Sequence, residues 1–167
     1  LTLGTNRATK ILDRNGKLLY EIYVDKKYDP VALDKVPDSV IKSTLAIEDS
    51  DFYNHHGVRI SSIIRAAKAS VFDDTLQGGS TITKQLVKNV LLTPEQTLSR
   101  KLKEVVLSVM VEKKYTKNQI LELYLNNISY GGTAWGIESA SQKYFGKDVW
   151  DLTLGEASLL AGLPTAP

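Results

Sequence analysis

The chain has 167 residues, 43% of them apolar and 24% charged, with a formal net charge of +2. That length suffices for one domain with a real core, and the composition is ordinary for a globular fold. There is no cysteine, which excludes a disulfide framework and any thiolate metal site. No apolar run reaches the ~18 residues that cross a bilayer, and no signal-peptide pattern opens the chain.

In chain order, Ile11-Leu12-Asp13-Arg14-Asn15-Gly16-Lys17-Leu18-Leu19-Tyr20 predicts a hairpin, because Asn-Gly between apolar flanks suits a type I′ turn. Pro30 and Pro37 punctuate the way into a first helix over about 38–48. Residues 1–36 are therefore expected as hairpin and linker, and 37–167 as a single domain. The closing Leu163-Pro164-Thr165-Ala166-Pro167 has no polar tail and reads as the cut end of something longer.

The first helix ends on Glu48-Asp49-Ser50-Asp51-Phe52-Tyr53-Asn54-His55-His56-Gly57. A helix delivering two carboxylates from an apolar face puts at least one where water is scarce. Desolvation raises a carboxyl pKa, which is how such a group becomes a general base. The bland alternative is a solvated acidic helix end with Gly57 as a stop signal. Residues 60–72 follow as an amphipathic stretch carrying Arg65 and Lys68, suited to the core or to a membrane interface.

Gln77-Gly78-Gly79-Ser80-Thr81-Ile82-Thr83-Lys84-Gln85-Leu86-Val87-Lys88-Asn89 reads as a loop launching a helix, with Ser80 or Thr81 as its cap. A helix N-terminus with hydroxyls, plus Lys84 and Lys88 on one face, forms a candidate anion site. Glycine spacing excludes a Walker loop. Thr93-Pro94-Glu95-Gln96 resembles a capping box for the longest helix, predicted to run to about Tyr115. Its stripe of Leu98, Leu102, Val105, Val106, Val109 and Met110, with Leu107 and Val111 opposite, predicts a helix central to the core. Glu104 falls on the Leu107/Val111 side and needs a partner or a task, Arg100 or Lys101 being the nearest cations.

Thr116-Lys117-Asn118-Gln119 predicts another capped helix to about Asn127. A further helix spans about 136–144 and ends at Gly146, and a last apolar one starts at 153–156 and stops before Pro164. The fold class is mainly α, with one short N-terminal β-hairpin. Between Lys84 and Lys117 stand eight basic and three acidic residues, so this segment carries +5 and the remainder −3. Such a local excess points to an anionic partner.

Five separated stretches, in order, resemble the peptidoglycan glycosyltransferase domain (glycosyltransferase family 51) of class A penicillin-binding proteins and monofunctional transglycosylases. They are Glu48-Asp49-x-x-Phe52-x-x-His55-x-Gly57, then Gly78-Gly79-Ser80-Thr81-Ile82-Thr83-x-Gln85-Leu86-x-Lys88-Asn89. Arg100-Lys101-x-x-Glu104 and Lys117-x-x-Ile120-Leu121-Glu122-x-Tyr124-Leu125-Asn126 follow. The last is the region of Tyr144-Phe145-Gly146-Lys147 with Leu160-Ala161-Gly162-Leu163-Pro164.

The resemblance implies a lysozyme-like helical head with a smaller membrane-facing lobe, polymerising lipid II into glycan strands at the outer face of the bacterial cytoplasmic membrane. The glutamate matching Glu48 is the family's base for the acceptor sugar 4-hydroxyl, whose oxygen attacks the donor anomeric carbon. Undecaprenyl pyrophosphate leaves, with Lys88 and Arg65 on its side. Glu104 matches the second glutamate, expected to orient or stabilise near the donor. Ser80, Thr81, Lys84, Gln85, Asn89, Arg100 and Lys101 fall in the matched substrate-binding motifs or beside them. The implied partners are lipid II, the growing strand and the membrane surface, with room for a C-terminal transpeptidase domain and no role for nucleic acid. No cofactor is required, although a divalent cation (Mg or Mn) stimulates some members. Neither histidine has metal-ligand spacing to another donor, and His55 and Gly57 are expected to shape the loop.

Lys84 stands where the family usually has glutamine, and Gln96 where many members have an arginine near the diphosphate. The expectation is that Lys84 partly replaces that cation; unchanged donor turnover and salt dependence in Lys84→Gln would refute it. Ser129 and Thr133 replace commoner tyrosine and glycine residues. Two other readings compete. A lysozyme-type glycoside hydrolase would also use a buried glutamate, but needs no cation-lined diphosphate site. A basic helical module for nucleic acid would explain the charge but leaves Glu48, Asp49 and Glu104 without a task.

Overall fold

The computed structural model describes residues 9–12, 18–22, 29–58, 80–92 and 97–165, and it is mainly helical. Strands β1 (Thr9–Leu12) and β2 (Leu18–Ile22) pair antiparallel. Among the described residues six α-helices follow: α1 (Asp38–Glu48), α2 (Ile82–Leu91), α3 (Leu98–Lys114), α4 (Lys117–Asn127), α5 (Ile137–Phe145) and α6 (Leu154–Gly162). The outer hairpin pairs, from Thr9↔Ile22 to Ile11↔Tyr20, keep the register that a two-residue turn at Asn15-Gly16 would set, and an irregularity then brings Leu12 onto Leu18. The turn itself, residues 60–72 with Arg65, Gly78-Gly79 and the 93–96 capping box lie outside the described residues.

Threonine starts four of the helices. Thr81, Thr97, Thr116 and Thr153 each accept a backbone N–H three residues on, satisfying a donor the helix cannot use internally. Gln119 and Glu156 close reciprocal capping boxes with Thr116 and Thr153, as their spacing predicts. The longest helix begins later than its sequence suggests: its cap is Thr97, whose hydroxyl accepts from Arg100 N at 3.1 Å.

α4 is the centre of the core. Ile120, Leu121, Tyr124 and Leu125 are fully buried, surrounded by Val40 of α1, Ile82 and Leu86 of α2, Ile137 and Ala140 of α5, and Leu160 of α6. α2 packs against both α3 and α4, while α1 lies along α6. The expectation that α3 is central fails. Leu102, Val106 and Met110 are 66%, 51% and 58% exposed. The side of α3 turned inward carries Glu104 and Ser108, with Val111 partly buried against the core. A seam that must place a carboxylate beside α2 has overridden the larger apolar stripe. Ser108 is accommodated there because its hydroxyl donates to Glu104 O one turn back, at 2.7 Å.

Candidate active site

α1 ends on Glu48, and Asp49 leaves the helix with φ −162°. Asp49 is the carboxylate that goes fully inside. Its Oδ2 accepts from Ile82 N at 3.0 Å, the first residue of α2, and from His55 Nε2 at 2.8 Å. A carboxylate at a helix N-terminus meets orphan N–H groups and the positive end of the dipole, which offsets the cost of burial. Gly57 N donates to His55 Nδ1 at 3.1 Å, which leaves the ring proton on Nε2, facing Asp49. Thr81 Oγ1 closes the loop by donating to Gly57 O at 2.6 Å. The loop after Glu48 is thereby latched onto the start of α2.

Gly57 has φ +84°, and a Cβ there would sit 2.9 Å from Glu112 Cγ and 3.0 Å from Ser108 O of α3. Only glycine fits both the backbone and the space. It is no helix stop; it is where the loop passes under α3.

The latch brings Glu48 to Gln85, one helical turn beyond Thr81. Gln85 Nε2 donates to Glu48 Oε2 at 2.6 Å, and Tyr124 OH of α4 donates to Gln85 Oε1 at 3.2 Å. Glu48 Oε1 is enclosed and has no hydrogen-bond partner among the described residues. Burial pushes the Glu48 carboxyl above the ordinary glutamate value; the Gln85 N–H opposes this and the Asp49 charge adds to it. Tyr124 and Tyr130 border the same spot: burial first, and then the Glu48 charge, push both phenols far up. The Tyr130 hydroxyl also has no partner among the described residues.

On the neighbouring position of α2, Lys84 Nζ lies 3.2 Å from Glu104 Oε1. The partner Glu104 requires therefore comes from α2 rather than from Arg100 or Lys101 on its own helix. Lys84 and Gln85 thus serve the two glutamates side by side. Thr81 is buried and occupied as cap and latch. Ser80, Lys88, Asn89 and Lys101 are exposed, and Arg100 is half-buried with its Nε enclosed and unpartnered among the described residues. Arg65 lies outside the described residues. Among the described residues no group of three His, Asp or Glu side chains could hold a metal ion.

Sequence reasoning gave no task to several residues that build the site, most of them inside the matched motifs. Glu112 of α3 accepts from Thr83 Oγ1 and from Lys117 Nζ at 2.8 Å, and the same ammonium lies 4.4 Å from the centre of the Phe52 ring. One buried carboxylate so joins α2, α3, α4 and the loop after Glu48. Asn126 clamps Val31 through both backbone groups at 2.8 Å, and Glu122 Oε2 accepts from Leu33 N at 2.8 Å. The available signal was the run of polar groups inside the apolar helix 117–127, since buried polar groups require partners.

The described residues thus form a helical head in which a half-buried glutamate at the end of α1 is held by Gln85 of α2. A family model described as Transglycosylase matches residues 15–167, and the chain belongs to that family. It is 46% identical over 162 residues to penicillin-binding protein 1A of Aquifex aeolicus, covering 96% of this chain and 22% of that protein. With penicillin-binding protein 1A of Escherichia coli it shares 48% over 159 residues, 95% of this chain and 19% of the other. A crystal structure of penicillin-binding protein 1A from Haemophilus influenzae aligns with 97% of this chain and 14% of its own, at 26% identity and a TM-score of 0.49. The chain thus spans about a fifth of the length of the curated relatives it matches.

Proposed function

We propose that this transglycosylase polymerises lipid II into glycan strands, with Glu48 as the base. The acceptor 4-hydroxyl gives its proton to Glu48 as its oxygen attacks the donor anomeric carbon. The bond from that carbon to the diphosphate breaks, a β linkage forms, and undecaprenyl pyrophosphate departs. The observation that carries this reading is the Glu48 carboxyl itself: it is half-buried at the end of α1, Oε2 is held by Gln85 at 2.6 Å, and burial raises its affinity for a proton. A positioned base of raised pKa is what a weak sugar nucleophile requires, and is worth about 10²–10⁴ in rate.

The departing diphosphate needs positive charge. In this reading Lys88 and Arg65 supply it, with Ser80 and Asn89 as further groups of the same motif; the N-terminus of α2 is not available, because Asp49 already occupies it. Lys84 is shared with Glu104, whose carboxylate holds that ammonium at 3.2 Å. Glu104 then acts by placing Lys84 near the donor, while Arg100 and Lys101 add cations from α3. The growing strand and the outer face of the cytoplasmic membrane complete the setting, and a transpeptidase domain in a longer protein is compatible with it. Among the described residues no helix is long and apolar enough to cross a membrane.

Two of the eight cations that suggested nucleic acid, Lys84 and Lys117, are paired internally with Glu104 and Glu112. A hydrolase would need a second working carboxylate, yet Asp49 is committed to His55 and to the N-terminus of α2, and Glu104 to Lys84. Product analysis decides between transfer and hydrolysis. With lipid II labelled in the sugar, the expected product is a polymer; free disaccharide without polymer would contradict the reading.

A further inference from the structure

The Tyr124–Gln85–Glu48 chain runs in one direction. A phenol O–H points at an amide oxygen at 3.2 Å, and the N–H side of the same amide points at the carboxylate at 2.6 Å. Tyr124 is fully buried at the centre of α4, so its hydroxyl is shielded from bulk solvent. Gln85 sits on α2, whose start is fixed independently by Asp49 and Thr81. Three elements with separate anchors therefore hold the three groups in line.

We propose that Tyr124 is a positioning residue for the base: by donating into the Gln85 carboxamide, it fixes the amide with its N–H toward Glu48 Oε2 and so holds the carboxylate in one orientation and in its ionised form. The inference rests on Glu48 being the base. Donors in series polarise one another, so the amide N–H is a stronger donor to the carboxylate with Tyr124 behind it. The reverse amide orientation would set an oxygen against Glu48 Oε2, a contact that only the protonated acid tolerates. Without Tyr124 the amide is freer to turn, and the protonated, inactive form of Glu48 gains.

The other titratable groups facing Glu48 among the described residues are Asp49 on its own helix end and the Tyr130 phenol. Both also face Tyr124, and both stay in place when only its hydroxyl is removed. The effect on Glu48 therefore has one sign.

The test is Tyr124→Phe, with Gln85→Leu cutting the same chain from the other end. Two readouts are used: the pH dependence of kcat and of KM for lipid II polymerisation, and a carbon-13 NMR titration of the Glu48 carboxyl, assigned by its loss in Glu48→Gln. The expected result is that the acid limb of kcat and the NMR midpoint both move up by about 0.5–1 in pH. KM in Tyr124→Phe should stay within about two-fold and kcat at neutral pH should fall about three- to ten-fold. An unmoved limb and midpoint in the variants would overturn the proposal, as would a loss confined to KM. If Tyr124→Phe fails to fold, 3-fluorotyrosine at position 124 decides by the same two readouts: its more acidic phenol is the stronger donor, so limb and midpoint should move down, and unmoved values would overturn the proposal. If the native chain does not act on lipid II, the function assigned above fails, while the NMR midpoint still judges the relay.

Discussion

At the scale of single residues, the adjacent carboxylates Glu48 and Asp49 are driven to different tasks by what surrounds them. Asp49 accepts from a ring N–H and a helix N-terminus and is spent on structure; Glu48, among the described residues, is held through Oε2 by Gln85 alone. Because burial raises the Glu48 pKa, ionising it costs folding stability. That cost is absent at pH below the ordinary glutamate value and fully present above the raised one. Glu48→Gln should therefore melt at or above the native temperature at pH 7, and the advantage should vanish as pH falls through the raised pKa; a melting point lowered at pH 7 would contradict this. Gly57→Ala should act in the opposite direction. With φ +84° and Glu112 Cγ only 2.9 Å from the added carbon, a loss of about 1–3 kcal/mol is expected in denaturant unfolding.

At the scale of elements, the helices were legible where the signal is local. The bounds of α1 and α4 follow from proline, threonine and the Thr116–Gln119 spacing, and Glu156 closes its box with Thr153 as read. Lys147 and the Thr153 backbone N–H hold the Glu156 carboxyl down to about 2. The stabilisation from that end of α6 is thus present above the ordinary glutamate value and is lost as pH falls toward about 2, a dependence that Glu156→Gln should remove from the melting curve. What was not legible was which face of α3 turns inward. Hydrophobic periodicity favoured Leu102, Val106 and Met110, but the choice depends on α2 offering Lys84 to Glu104 and on Gly57 lying under Ser108, contacts remote in sequence. Met110→Ser and Val106→Ser should accordingly shift stability by no more than about 0.5 kcal/mol each. Asn126→Ala, which severs both bonds to Val31, should cost about 2–3 kcal/mol. Equal losses in these variants would mean that α3 is buried after all.

At the scale of the whole molecule, some motif residues touch the Glu48 carboxyl, others hold its supports together, and Ser80, Lys88, Asn89 and Lys101 are exposed. Phe52, His55, Gly57, Thr83, Lys117, Glu122 and Asn126 belong to the second group, joining the loop after α1, α2, α3, α4 and residues 31–33. The sequence marked Glu48 and Gln85 as site residues but not as partners, and it carried no sign of the Tyr124 link, since nothing in α4 alone says which way its buried hydroxyl turns. The most direct test is single-turnover conversion of lipid II by the native chain and by Glu48→Gln, each shown folded by circular dichroism. A rate reduced by about 10²–10⁴ with substrate binding retained is the expected result. A rate within a few-fold of native would contradict Glu48 as the base.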